Sequence, residues 1–131
     1  MGAIATLVKA VKILVIDDDL LLLRTITRIL TADGHDISTA SDGERAMALY
    51  RDAPPDLVIT DINMPNQGGL ETILTLRRDD NPVKIIAMSG TDPEMLETAR
   101  LIGADNILEK PFRVHELVNC VRAMDASSPA P

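Results

Sequence analysis

Aromatic side chains are almost missing from this chain: its 131 residues include one Phe, one Tyr and no Trp. A pocket that stacks a flavin or another flat cofactor between rings is therefore not expected. A core of normal size must be built from Leu, Ile, Val, Ala and Met, which 46% hydrophobic content allows. The single cysteine, Cys120, excludes an intramolecular disulfide framework and fits a reducing, cytoplasmic setting. Its neighbours Leu117, Val118, Val121 and Met124 mark it as a packed helix position. Lysine and arginine are outnumbered by acids, 13 against 20, for a net charge of -7. That balance argues against direct nucleic acid binding by this domain, because phosphate contacts need Lys and Arg. No apolar run approaches the ~20 residues of a membrane span, so no membrane insertion is expected. The first residues, Met1–Ala10, lack the basic start and long apolar core of a signal peptide. Met1-Gly2-Ala3-Ile4-Ala5-Thr6 fits the loose myristoylation pattern, but so short a motif arises by chance, and an N-terminal extension over residues 1–11 is the expectation.

What is present is a regular alternation of two periodicities. Lys12–Ile16 reads as a buried strand. Leu20–Ala32 reads as a helix with Leu22, Leu23, Ile26, Ile29 and Leu30 on one face, stopped by Gly34. Asp36–Ala40 is a short strand and Gly43–Arg51 a helix. Pro54-Pro55-Asp56 breaks the chain before strand Leu57–Thr60. Helix Leu70–Arg78 follows, then a turn at Asn81-Pro82 and strand Lys84–Met88. Asp92-Pro93 predicts an N-cap with proline at the first helical position, and that helix ends at Gly103. Asn106–Glu109 is the last strand, and Val114–Met124 the last helix. The Ala, Ser and Pro-rich residues 125–131 are expected to be a flexible tail or the start of a linker. One domain over residues 12–124 accounts for the rest.

Strands alternating with helices predict an α/β fold with a parallel sheet covered on both faces. The expected class is flavodoxin-like, (βα)5 and doubly wound, with five strands in the order 2-1-3-4-5. In that order the first and third strands adjoin at the topological switch point, where open α/β sheets bind ligands. Asp17, Asp18 and Asp61 end those two strands and should share one crevice. Ser89 ends the fourth strand and Lys110 follows the fifth. Carboxylates brought so close repel, and protonation or a metal relieves the strain. Oxygen donors alone favour Mg²⁺ over zinc, and neither His35 nor His115 sits at a strand end. A metal on a few carboxylates keeps positions open for phosphate oxygens, and Lys110 and Ser89 can bind further oxygens. Asp61 is then either a third ligand or a nucleophile that becomes an aspartyl phosphate. Asp19 is expected simply to cap the first helix.

These residues together resemble the receiver domain of two-component response regulators. The resemblance spans Val11 to Met124. It is carried by Ile13-Leu14-Val15-Ile16-Asp17-Asp18-Asp19, by Pro55-Asp56-Leu57-Val58-Ile59-Thr60-Asp61-Ile62-Asn63-Met64-Pro65, by Met88-Ser89-Gly90, by Gly103-Ala104-Asp105-Asn106 and by Lys110-Pro111-Phe112. It implies that Asp61 is the phosphoacceptor in a phosphorelay, served by a sensor histidine kinase or a histidine phosphotransfer protein. It implies that Mg²⁺ is held by Asp17, Asp18, Asp61 and the main-chain carbonyl of Asn63. Ser89 and Lys110 match the switch hydroxyl and phosphate-binding lysine, and Asn63 and Thr91 the modulators of dephosphorylation. A signalling phosphoacceptor rather than an enzyme is implied, with at most Mg²⁺-dependent self-phosphorylation and autodephosphorylation. A cis peptide at Lys110-Pro111 is expected as well. So is an output face made of the fourth helix, fifth strand and fifth helix, with Ile107 at its centre.

The chain departs from the family at three places. Ile107 stands where a swinging Tyr or Phe is usual, so a modest loop and helix displacement replaces a large rotamer change. Asn66-Gln67-Gly68-Gly69 keeps only the last glycine of its loop. Cys120 replaces the arginine common in the DNA-binding subfamily. Two other classes remain. A Mg²⁺-dependent aspartyl-phosphate phosphatase of haloacid-dehalogenase type would read Asp17-Asp18-Asp19 as its first-strand motif, but leaves Asp61 unexplained. A flavodoxin-type cofactor binder lacks both aromatics and a Gly-rich phosphate loop. After phosphorylation the expected recipient is a downstream protein or a C-terminal output domain missing from this sequence.

Overall fold

A computed structural model describes residues 10–64, 68–78, 82–90 and 92–126. The myristoylation pattern, the loop glutamine Gln67, Thr91 and most of the expected tail lie outside the described residues. Five strands, β1 (Lys12–Ile16), β2 (Asp36–Ala40), β3 (Leu57–Asp61), β4 (Lys84–Ser89) and β5 (Asn106–Glu109), alternate with five helices. The helices are α1 (Leu20–Ala32), α2 (Gly43–Asp52), α3 (Gly69–Arg78), α4 (Pro93–Ile102) and α5 (Val114–Ala126). All strand pairs are parallel, in the order β2-β1-β3-β4-β5, the flavodoxin-like class expected.

The period of two along each strand divides the apolar residues between two cores. Ile13, Val15, Leu57, Ile59, Ile86 and Met88 face α1 and α5, where Leu23, Ile26, Leu30, Leu117 and Val121 meet them. Leu14, Ile16, Val58, Ile85 and Ala87 face the other way, onto Ala46 of α2, Ile73 and Leu76 of α3, and Leu96 and Ala99 of α4. A continuous apolar strand is thus read twice, once from each face, as burial on both sides of a parallel sheet demands. Cys120 lies buried in the first of these cores, as its neighbours predicted, and burial pushes its thiol up to about 11.

The helix caps follow the local sequence. Asp19 Oδ1 accepts from the N–H groups of Leu21 and Leu22, Asp42 accepts from Arg45, and Asp92 from Glu94 ahead of Pro93. Each satisfies an otherwise orphaned donor of a first turn. Element ends differ slightly from expectation. β3 and β4 each run one residue further, to Asp61 and Ser89, which stay in register with Met88 and Glu109 of the neighbouring strands. Ladder pairing uses the main chain only, so a polar side chain does not end it. α5 continues to Ala126, two residues beyond the expected Met124.

Candidate functional site: an acidic crevice at the carboxyl edge of the sheet

The carboxyl ends of β1 and β3 stand side by side, and they bring Asp17, Asp18 and Asp61 together. One carboxylate oxygen from each lies within 4.8 Å of the others. Asp17 and Asp61 are buried and Asp18 is exposed, so the cluster opens to solvent through Asp18. Lys110 reaches in from the end of β5. Its ammonium donates to Asp17 Oδ2 at 2.7 Å and stands 3.7 Å from Asp61 Oδ1. The Lys110–Pro111 bond is cis, as expected, and the N–H of Lys110 donates to the carbonyl of Ser89 at 2.8 Å. Gly90 passes against the lysine stem, where an added Cβ would come 3.1 Å from Lys110 Cβ.

The surroundings of Asp17 pull in two directions. Burial raises its carboxyl above the ordinary value, more strongly than the bond from Lys110 and the Asp19 N–H at 2.9 Å lower it, and Asp61 adds further repulsion. By count, one ammonium faces three carboxylates in the crevice. The donor set is three carboxylates, with no His or Cys in the group among the described residues. Such an all-oxygen cluster fits a hard divalent cation of the Mg²⁺ type.

Ser89, at the end of β4, is buried and faces the loop after β3. Its Oγ accepts from the Asn63 carboxamide at 2.8 Å, while the Asn63 main-chain N–H donates to Asp61 Oδ1 at 3.2 Å. Asp17, Asp18, Asp61, Asn63, Ser89 and Lys110 thus gather at one edge. Ile107 does not join them: it is half-buried on β5 and packs on the core shared by α2, α3 and α4. Asp19 caps α1, as expected.

Sequence reasoning missed two features. Gly69 opens α3 directly against β3, and an added Cβ there would overlap the Asp61 carbonyl oxygen and come 2.6 Å from Ile62 Cα. The one agreeing glycine of its loop was the available signal. Arg77, at the far end of α3, ties the opposite edge of the sheet. It donates from Nε to the Gly103 carbonyl (3.0 Å), from Nη1 to that of Val83 (2.7 Å) and from Nη2 to Asp105 Oδ2 (2.7 Å). No local pattern announces contacts so distant in sequence.

The class these features define is a doubly wound α/β domain with an acidic, lysine-capped crevice at its switch point. The chain belongs to the response regulator receiver domain family, whose model matches residues 13–122. It is a domain of two-component signalling, and the phosphatase alternative has no support. It is similar to the DNA-binding response regulator MtrA of Mycobacterium tuberculosis, 35% identical over 112 residues, covering 86% of this chain and 49% of that protein. It is also similar to the transcriptional regulatory protein PrrA of Mycobacterium leprae, 38% identical over 118 residues, covering 89% and 51%. The chain thus spans about half the length of the curated relatives it matches. Among solved structures, the chemotaxis response regulator CheY4 of Vibrio cholerae superposes with a TM-score of 0.80 at 28% identity, covering 88% of this chain and 98% of that one. The receiver domain of NtrX from Brucella abortus superposes with a TM-score of 0.83 at 28% identity, covering 88% and 99%. No helix among the described residues is long and apolar enough to cross a membrane.

Proposed function

We propose that Asp61 is the phosphoacceptor of a two-component phosphorelay, and that residues 12–124 make up the working domain. The observation that carries this reading is the place of Asp61: a buried carboxylate beside Asp17 and Asp18, with the Lys110 ammonium 3.7 Å from its Oδ1. A carboxylate oxygen of Asp61 attacks phosphorus in a phosphohistidine of a sensor kinase or histidine phosphotransfer protein. The P–N bond breaks as the P–O bond forms, and the departing imidazole nitrogen keeps the electron pair. Mg²⁺ dependence is general in receiver domains. Here Asp17, Asp18, Asp61 and the Asn63 carbonyl would hold the ion, which would supply positive charge for the phosphoryl oxygens. Lys110 shifts its charge from Asp17 toward a phosphoryl oxygen, and Ser89 donates to another. Movement of Ser89 and Lys110 is then passed to α4, β5 and α5, the output face around Ile107. Asn63 sets the lifetime of the acyl phosphate together with Thr91. No turnover of an external substrate is required, only self-phosphorylation and autodephosphorylation. The setting is cytoplasmic. The recipient is a downstream protein or an output domain of a longer polypeptide, which the half-length match to DNA-binding relatives supports.

Incubation with phosphoramidate and Mg²⁺ should add one phosphate by intact mass, and Asp61→Asn should abolish the addition. Equal labelling of the variant would overturn the assignment of Asp61.

A further inference from the structure

Asn63 spans the crevice by two bonds of different kinds. Its main-chain N–H donates to Asp61 Oδ1 at 3.2 Å, on β3, and its carboxamide Nδ2 donates to Ser89 Oγ at 2.8 Å, on β4. Ser89 is 1% exposed, and its own carbonyl receives the Lys110 N–H at 2.8 Å. A hydroxyl has one proton to give and two lone pairs to offer. An amide N–H can only donate, so the Asn63 bond occupies a lone pair and leaves the Ser89 proton for another acceptor. Buried serines otherwise turn their protons back onto nearby main-chain carbonyls. The carboxamide opposes that by restricting the hydroxyl's rotation, since the proton must avoid the donor already on the oxygen.

We propose that the side chain of Asn63 is a positioning residue that orients the Ser89 hydroxyl to donate to a phosphoryl oxygen carried by Asp61. The inference rests on the reading of Asp61 as phosphoacceptor. It gives Asn63 a side-chain role separate from its main-chain carbonyl, and the role runs entirely through Ser89. It also makes the β3–α3 loop and the end of β4 a single unit, so a change of residue 63 retunes Ser89 with no change to Ser89 itself.

A double-mutant cycle tests it, with binding of beryllofluoride at saturating Mg²⁺ followed by amide shifts, which also report folding. Asn63→Ala should weaken binding about fivefold, the scale of one neutral hydrogen bond. In a Ser89→Ala background the same substitution should have no further effect, because contacting residues are coupled. With phosphoramidate as donor, the Asn63→Ala loss should fall on the saturating rate and not on KM, since a hydroxyl donating to the transferring group acts mainly in the transition state. Wild-type affinity in Asn63→Ala, an equal loss in both backgrounds, or a change confined to KM would each overturn the proposal. A folded wild-type protein that binds no beryllofluoride would overturn the reading of Asp61 and the inference with it.

Discussion

At the amino edge of the sheet, Arg77 meets Asp105 at 2.7 Å, and the same Asp105 oxygen accepts the Ile85 N–H at 2.8 Å. There a cation faces one acid and two main-chain carbonyls, Gly103 and Val83. Gly103, at a φ of 130°, lies so close to the arginine stem that an added Cβ would come 2.7 Å from Arg77 Cγ. At the carboxyl edge three acids share one lysine, and the buried Asp17 is held above its ordinary value. The same five strands carry both edges. One edge pairs its charges and clamps α3 to β4 and to the α4–β5 turn. The other sets three acids against one lysine, an excess of negative charge that would draw in the proposed cation. The clamp and the proposed reactive site thus lie at opposite ends of the sheet.

The largest effect on stability is expected from breaking the clamp. Arg77→Ala removes the bonds to the Gly103 and Val83 carbonyls and to Asp105. Asp105 keeps its bond to Ile85, which limits the damage. A loss of about 3 kcal/mol is expected from bonds of which one is to a charged partner, read as a shift of the urea midpoint with the slope unchanged. A loss below about 0.5 kcal/mol, the range of ordinary surface substitutions, would mean that the amino edge is no more tightly held than the crevice.

Next in size is the response of the crevice to its proposed ion. Relief of carboxylate repulsion should stabilise the wild type by about 2.7 kcal/mol at a Mg²⁺ concentration 100 times the dissociation constant. Asp18→Ala should erase most of that gain, whereas Arg77→Ala should retain it despite its lower baseline. The check is thermal unfolding with Mg²⁺ or with a chelator. An undiminished Mg²⁺ shift in Asp18→Ala would place the ion away from the three acids and dissolve the contrast between the edges.

The two edges were not equally legible in the sequence. The carboxyl edge was readable because each strand ends in its own chemistry, and parallel order alone makes Asp17, Asp18, Asp61 and Ser89 neighbours. The caps at Asp19 and Asp92 were readable because both partners lie within one turn. The clamp was not, since Arg77 meets Val83, Gly103 and Asp105 only after α3 and α4 have packed. Gly103-Ala104-Asp105-Asn106 stood out as a motif, but nothing local tells what its acid holds. The bond from Asn63 to Ser89 escaped for the same reason: a separation of 26 residues is closed only by the register of β3 with β4. Asp61 and Ser89 read as strand terminators by their side chains, although their main chains still pair with the neighbouring strands.

The smallest effect probes the excess charge itself, through Asp17. Burial outweighs the Lys110 bond, so the folded state holds the Asp17 proton more tightly than the unfolded chain does. Between the ordinary value of 3.8 and the raised folded value, the native state binds more protons at this site. Stability contributed by Asp17 therefore falls as pH rises through that window, and stays low above it. The neutral mimic Asp17→Asn escapes the cost. In chelator it should be more stable than wild type near neutral pH by on the order of 1 kcal/mol, an ordinary single-substitution effect. The advantage should vanish well below pH 3.8, where the Asp17 carboxyl is protonated in both states. Carboxylates away from the crevice contribute slopes of their own that cancel in the difference between the two proteins, whereas the repulsion between Asp17 and Asp61 is part of what the difference reads. Urea unfolding across the acid range measures that difference directly. With Mg²⁺ the order should reverse, because the wild type gains the ion and the variant loses a proposed ligand. A variant less stable than wild type in chelator at neutral pH would mean that Lys110 fully compensates Asp17, and that the crevice is as evenly paired as the clamp.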